Sequence, residues 1–300
     1  MKWFGSSQVV LALGGGGSRG LAHLGVLQVL EKHGIPVAGV VGTSVGAIVG
    51  AAYCLRPDAT RLIDHSMRYL RSDRFMHDHF RRMMFGSNEV EQNFFQSVLS
   101  NVRKSLTFTS LIRRRSIFDG DRLRDLVGDL VEDKTFEQTQ IPFAVPAIDL
   151  RPPMEVLLTT GPLRPAVTAS CSLPGFFPPV EMSGMLLADI GVIGSVPVQA
   201  ARQLVPGAVV VAVDISTELA PMQDVSRGWE CIMRVEAIAA KKLNELELGQ
   251  ADVVLRPRIG RKYWSDFTEL DMMVQAGADE AELRIEDVRS RLQRWLPFRR

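Results

Sequence analysis

The sequence is short of cysteine and carries almost no net charge. Its 300 residues include three cysteines at wide spacing, without a CxxC pair. This pattern does not favour a disulfide framework, a zinc site or a redox site, and it predicts a reducing, cytoplasmic compartment. The 35 basic residues nearly balance the 34 acidic ones, giving a net charge of +1. Such a balance argues against a protein built mainly to coat nucleic acid.

An export signal and long hydrophobic runs are also missing. The first seven residues contain no long apolar stretch, so we expect no signal peptide. The longest candidate for a membrane span, residues 37–55, is interrupted by glycines and hydroxyl side chains. No internal repeat or low-complexity linker is visible. We therefore expect a soluble or peripheral globular protein that forms a single domain over residues 1–300.

Alternating strand and helix patterns predict an α/β fold. A β-branched run, Val9–Leu13, leads into four glycines, and a helix-spaced apolar pattern follows from Ser18. A second strand, Val37–Val41, turns directly into an apolar helix, Ala47–Leu55, which completes a parallel βαβ unit. Further elements are predicted as strands at Phe143–Leu150, Met154–Thr159, Met185–Ala188, Ala208–Asp214 and Asp252–Leu255, and as helix from Asp271 onward.

The segment from Gly15 to Gly20 reads GxGxxG between a predicted strand and a predicted helix. A dinucleotide site would need an acid near the end of the second strand, and none is present there. A P-loop would need lysine where Leu21 stands. The third interpretation is an oxyanion hole, in which glycine N–H groups at a helix start face a developing negative charge. A purely structural tight turn is the remaining alternative.

A second motif, Gly42-Thr-Ser-Val-Gly46, matches GxSxG between a predicted strand and helix. In that setting the serine is forced outward on a sharp turn, and small flanking residues allow the turn and a close approach of substrate. A chance match in a glycine-rich chain is the alternative. The strand-to-helix setting favours Ser44 as a nucleophile.

Histidine is missing from the whole chain after residue 79. The Ser–acid–His order of α/β-hydrolases needs a late histidine, so a carboxylate must act as base if Ser44 is activated. Asp189 is the candidate, because an apolar run delivers it to a glycine turn, although it could be only a turn cap. The residues 77–79, His-Asp-His, could suggest a metal cluster, but a solvated patch is favoured and no metal is predicted. His23 and His33 are interpreted as structural.

Several of these motifs occur together, in one order, over about two-thirds of the chain. The motifs are the glycine-rich loop, the GxSxG serine, and Asp189 with Gly191 two residues later. Two further blocks accompany them, Ala169–Pro179 and Ser195–Val198. Together they resemble the patatin-like phospholipase family, which has a GGGxRG oxyanion segment and a Ser–Asp dyad. Ile190 departs from the middle glycine of the family's aspartate turn, and Ser195 stands where many members carry Asn.

The resemblance implies a three-layer α/β/α fold with a mostly parallel central sheet and a helical insertion. The motif-bearing core would span residues 11–203, the insertion 61–115, and strands and helices in 204–300 would complete the fold. It implies a cofactor-independent serine lipid acyl hydrolase acting on ester bonds. The implied roles are the nucleophile Ser44, the base Asp189, the oxyanion donors Gly15, Gly16 and Gly17, and the supporting residues Arg19, Gly20, Gly42, Gly46 and Gly191. Arg19 would brace the loop or meet an anionic head group.

The departures leave a second hypothesis open, a catalytically weak member that acts as a regulatory or binding partner. Two basic regions of the sequence indicate which molecules the protein could bind. Residues 61–115 carry eleven bases against five acids, together with many Met and Phe residues, and residues 289–300 carry five arginines and no acid. The first region would either cap an acyl pocket and contact anionic phospholipid, or pack on the sheet as a helical lid with a solvated basic face. The second would either rest at a bilayer interface or dock its aromatic side as an ordinary terminal helix. We expect a lipid ester substrate, with peripheral contact at the inner face of the membrane.

Overall fold

The computed structural model describes residues 8–77, 116, 118–192, 195–219, 221, 224–225, 228–260 and 266–294. Within these residues a mixed eight-stranded sheet forms the centre of the fold. Its strands are β1 (Val9–Leu13), β2 (Val37–Gly42), β3 (Phe143–Asp149), β4 (Met154–Leu158), β5 (Val180–Met182), β6 (Met185–Ala188), β7 (Val209–Val213) and β8 (Val253–Leu255).

The helices alternate with these strands along the chain. They are α1 (Leu21–Lys32), α2 (Val45–Leu55), α3 (Ala59–Leu70), α4 (Asp73–His77), α5 (Gly120–Leu130), α6 (Leu163–Ser170), α7 (Val198–Leu204), α8 (Gly228–Leu248) and α9 (Leu270–Arg294). Short 3₁₀ turns lie at Gly17–Gly20, Phe136–Gln138 and Ile190–Val192. The strands and helices predicted within the described residues are confirmed, with shifts of a few residues at their ends.

The strand order is β5-β6-β3-β2-β1-β7-β8, and β4 pairs with β3. The central strands β3, β2, β1, β7 and β8 run parallel, whereas β4, β5 and β6 join by antiparallel pairing. Because parallel strands end at the same edge of a sheet, the loops that follow β1 and β2 meet there. The fold thus brings the glycine-rich loop and the GxSxG turn together.

The sheet is covered by helices on both faces, as the predicted α/β/α layering requires. Alternate residues of β1 point to opposite sides: Leu11 and Leu13 belong to the core shared with α1, and Val10 and Ala12 to the core shared with α7. Every residue of β1 is fully buried, which explains its continuous apolar run.

The helices α1 and α9 cross at two glycines. A Cβ atom on Gly25 would lie 1.9 Å from the Val274 carbonyl oxygen, and one on Gly277 would lie 1.9 Å from the Ala22 carbonyl oxygen. The two helix backbones are therefore in direct contact, at a separation that only glycine allows. Since α1 directly follows the glycine-rich loop, α9 supports the element on which that loop rests.

The predicted basic regions are only partly described. Residues 61–77 of the insertion lie in α3, a short turn and α4. Residues 78–115, including Asp78 and His79, and residues 295–300 lie outside the described residues, as do the predictions made for them. In the part of the chain that is described, no helix has the combination of length and apolar composition that crossing a membrane would need.

Candidate active site

Ser44 lies at the sharp turn between β2 and α2, with φ 54° and ψ −121°. Backbone in this region costs a non-glycine residue about 1–3 kcal/mol and persists only where surrounding contacts enforce it. The flanking glycines explain the motif's spacing. A Cβ on Gly42 would lie 2.2 Å from the Gly46 carbonyl oxygen, and one on Gly46 would lie 2.3 Å from the Leu13 carbonyl oxygen. Only glycine lets the turn close against β1.

Asp189 follows β6 and is 4% exposed. Its carboxylate accepts a hydrogen bond from the Gly191 N–H at 2.6 Å and another from the Ser44 hydroxyl. Burial raises the pKa of Asp189 to about 7, against the opposing effect of these two hydrogen bonds. The structure therefore places the two residues expected to form a dyad in direct contact, in a site where the carboxyl group titrates near neutral pH.

The turn after Asp189 accommodates Ile190 without strain. Glycine, which the family has at this point of the turn, can take a positive φ that a β-branched residue cannot easily adopt. Ile190 begins a 3₁₀ turn instead, and among the described non-glycine residues only Ser44 and Ser183 have positive φ. The position in this turn that restricts side-chain size is Gly191, because a Cβ there would lie 2.9 Å from Asp189 Oδ1.

The glycine-rich loop passes beside the serine. A Cβ on Gly15 would lie 3.3 Å from Ser44 Cβ, and the Gly15 N–H donates to the Ser195 carbonyl oxygen at 3.1 Å. Within the described part of the chain, the N–H groups of Gly16 and Gly17 donate no hydrogen bond. Gly20 packs the loop onto α2, since a Cβ there would lie 2.3 Å from a Val45 methyl group.

Two nitrogen-bearing side chains donate hydrogen bonds to the carbonyl groups of the glycine-rich loop. Arg19 Nε donates to the Gly16 carbonyl oxygen at 3.1 Å, which is the bracing contact that the sequence suggested. His23 Nε2 lies 2.8 Å from the Gly14 carbonyl oxygen. Because a carbonyl oxygen only accepts, this nitrogen carries the proton. A trans peptide points its N–H opposite to its C=O, so fixing Gly16 C=O turns the Gly17 N–H away from Arg19.

Burial shapes the charge state of both side chains. Desolvation lowers the pKa of His23 to about 4, so its imidazole is neutral at physiological pH. Desolvation also lowers the pKa of Arg19, to about 10, with the nearby Asp214 carboxylate opposing the shift. The guanidinium stays protonated. The structural interpretation of His23 did not include its contact with Gly14, because that contact depends on how the chain folds back.

Three residues at the end of α6 touch the candidate dyad, and sequence analysis assigned them no role. The Ser44 N–H donates to Ser170 Oγ at 3.0 Å, and the Asp189 N–H donates to the Ser172 carbonyl oxygen at 3.0 Å. The Cys171 thiol is hydrogen-bonded to the Ser44 hydroxyl, and burial raises its pKa, so it stays protonated. The Ala169–Pro179 block was the available signal, but its sequence alone does not show these contacts.

A serine on a strained strand-to-helix turn, a buried aspartate and an adjacent glycine loop thus lie together on a mostly parallel α/β sheet. The chain belongs to the patatin-like phospholipase family, whose model matches residues 11–202.

Individual relatives and solved structures are similar over different spans. An uncharacterised NTE family protein from Mycobacterium tuberculosis is 34% identical over 192 residues, covering 64% of this chain and 45% of the relative. Human patatin-like phospholipase domain-containing protein 6 is 31% identical over 228 residues, covering 74% and 14%. The chain thus spans less than half the length of these curated relatives. VipD from Legionella pneumophila aligns over 95% of this chain and 67% of its own, with 13% identity and a TM-score of 0.44.

Proposed function

We propose that the chain is a serine lipid acyl hydrolase that cleaves carboxylic esters of phospholipids or related lipids. The observation that carries the proposal is the hydrogen bond between the Ser44 hydroxyl and the buried Asp189 carboxylate. A general base works best when its pKa lies near the operating pH. Asp189, with a pKa of about 7, meets that condition without a histidine.

In the proposed reaction, Asp189 accepts the Ser44 proton while Ser44 Oγ attacks the ester carbonyl carbon. The tetrahedral intermediate collapses, the alcohol departs with the proton from Asp189, and an acyl group remains on Ser44. Water then attacks the acyl carbon while Asp189 accepts its proton. The second tetrahedral intermediate collapses, the bond from Ser44 Oγ to the acyl carbon breaks, Asp189 returns the proton to Ser44 Oγ, and the carboxylic acid leaves. No cofactor enters this scheme.

The oxyanion would lie against the glycine-rich loop. Of the three expected donors, Gly15 is not retained, because its N–H already donates to the Ser195 carbonyl oxygen. The proposed donors are the N–H groups of Gly16 and Gly17. In known enzymes one such donor contributes about 2.7–4 kcal/mol to transition-state stabilisation. Arg19, through Gly16, would keep the loop in the conformation that presents these N–H groups.

We also propose that the protein meets its substrate at an anionic membrane surface. Support comes from the sequence, in the excess of bases over acids in residues 61–115 and 289–300. Clustered Lys and Arg residues are attracted to anionic lipids, at about 1 kcal/mol for each residue near the surface.

Replacement of Ser44 tests the hydrolase proposal. Ser44→Ala should lower the release of p-nitrophenol from acyl esters by more than about a thousandfold and abolish labelling by a fluorophosphonate probe. Ser290→Ala is the matched control, because Ser290 lies exposed on α9 and its hydroxyl donates to the Asp287 carbonyl oxygen. Folded wild-type protein that neither hydrolyses esters nor takes up the probe would favour the regulatory or binding alternative.

A further inference from the structure

We propose that Ser170 is a positioning residue of this site, whose hydroxyl fixes the backbone of Ser44 so that the Ser44 side chain stays aimed at Asp189. This inference rests on the proposed function. It concerns a residue that touches neither substrate nor base and acts through the nucleophile alone.

The Ser170 hydroxyl uses both its hydrogen-bonding capacities at once. It accepts the Ser44 N–H at 3.0 Å and donates to the Pro146 carbonyl oxygen at 3.0 Å. Ser170 is 0% exposed, so no water competes for either bond. Pro146 lies within β3 in the sheet. The hydroxyl therefore links the turn that bears the nucleophile to a strand of the rigid sheet.

Ser44 needs such an external contact for two reasons. The N–H groups at the start of a helix have no acceptor within it, and Ser44 directly precedes α2. Its positive φ is also a strained conformation that must be held by its surroundings. Without an acceptor at Ser170, the turn could relax, and the Ser44 hydroxyl would lose its direction toward Asp189.

The next two residues extend this contact to the rest of the dyad. The Cys171 thiol is hydrogen-bonded to the Ser44 hydroxyl, and the Ser172 carbonyl oxygen accepts the Asp189 N–H at 3.0 Å. One three-residue segment thus contacts the nucleophile's backbone, the nucleophile's side chain and the backbone of the base. Ser170 is the member whose side chain contacts the Ser44 backbone, so this contact can be tested by substitution.

We expect Ser170→Ala to lower kcat by about 10- to 100-fold, because misplacement of a reacting group by about 1 Å has an effect of that order. KM should stay within about twofold, since Ser170 is fully buried and does not face the solvent from which substrate arrives. The variant Ser170→Cys fills nearly the same volume with a weaker hydrogen-bonding group. It should lower kcat by a smaller factor, again with little change in KM, and it serves as the test if Ser170→Ala does not fold.

A second readout does not require activity. The hydrogen bond from Ser44 lowers the pKa of Asp189, so its loss should raise that pKa further, which ¹³C NMR titration of the Asp189 carboxyl group can measure. Among the described residues, the titratable group that interacts with Asp189 is the Cys171 thiol, which stays protonated because burial raises its pKa. A residue that only stabilised the fold would leave the Asp189 titration where it is.

Thr168→Val is the matched control. Thr168 lies on the same helix, is also buried, and donates its hydroxyl to the Arg164 carbonyl oxygen at 2.7 Å without contacting Ser44. This variant should keep the wild-type kcat and Asp189 titration, with both variants compared below their melting temperatures.

Unchanged kcat and an unshifted Asp189 pKa in Ser170→Ala would overturn the positioning role. The hydrolase proposal would survive that result, provided that the wild type hydrolyses esters. Equal losses in Thr168→Val would overturn it as well. If wild type hydrolysed no ester but the Asp189 pKa still rose in Ser170→Ala, the hydrolase proposal would fail and the alignment of Ser44 by Ser170 would hold.

Discussion

Asp189 binds its proton more tightly in the folded protein than in the unfolded chain. Burial raises its pKa from 3.8 to about 7, although Gly191 and Ser44 donate hydrogen bonds to the carboxylate. The folded state therefore holds more protons than the unfolded state between these two pH values. The resulting stability is fully present below pH 3.8 and is lost as the pH rises through about 7. The form needed for the proposed catalysis is the less stable one.

Asp189→Asn should separate these two effects. The amide cannot ionise but keeps an oxygen to accept the Gly191 N–H. We expect a higher melting temperature than wild type at pH 8.5, a difference that disappears toward pH 4, and no hydrolysis at any pH. Wild-type hydrolysis should fall as the pH drops below about 7. Calorimetry across this pH range makes the comparison, with exposed Asp133→Asn as the control, and a pH-independent difference would contradict the assignment.

The crossing of α1 and α9 requires residues without a Cβ atom at Gly25 and Gly277. Where Gly25 and Gly277 face the opposite helix, any Cβ would overlap a backbone carbonyl oxygen, which cannot rotate away as a side chain can. The helices would have to separate, and α1 carries the glycine-rich loop at its start. A change far from Ser44 in the chain can thus reach the candidate oxyanion donors through one helix.

Gly277→Ala should lower the free energy of unfolding by about 1–3 kcal/mol, the usual effect of overpacking. Gly128→Ala is the control, since Gly128 lies within α5 and a Cβ there would meet only the Arg164 guanidinium at 3.9 Å. That variant should be neutral or more stable by about 0.4–1 kcal/mol, because alanine restricts the unfolded chain. Urea denaturation gives both values, and similar results for the two variants would argue against a backbone contact.

Across the whole molecule, a net charge of +1 conceals two strongly basic regions. We expect binding to vesicles that contain phosphatidylserine, weak binding to neutral vesicles, and release as salt screens the charges. Replacing Arg291, Arg299 and Arg300 with Gln should reduce co-flotation with the anionic vesicles. Replacing the exposed Lys134, Lys241 and Lys242 removes the same charge elsewhere and should have little effect. Equal losses from both variants would mean that only total charge matters.

The parts of the fold and site that sequence predicts are those determined by neighbouring residues. The strand Val9–Leu13 and the turn at Ser44 follow from local runs of residue types, and the glycine spacing reflects contacts within that turn and with β1. The contacts of Ser170 and His23 could not be predicted in this way. Each depends on a hydrogen bond between segments that only the packing of sheet and helices brings together, as does the bond from Gly15 to Ser195.

The strained backbone of Ser44 bears on how such a protein would change if its activity were no longer selected. A φ of 54° with a ψ of −121° is easy for glycine and costly for other residues. Replacement by glycine would remove the nucleophile and also relieve about 1–3 kcal/mol of strain, whereas alanine would remove only the hydroxyl. In a lineage no longer selected for hydrolysis, selection for stability would therefore favour glycine at position 44. Ser44 would be among the first residues to be replaced.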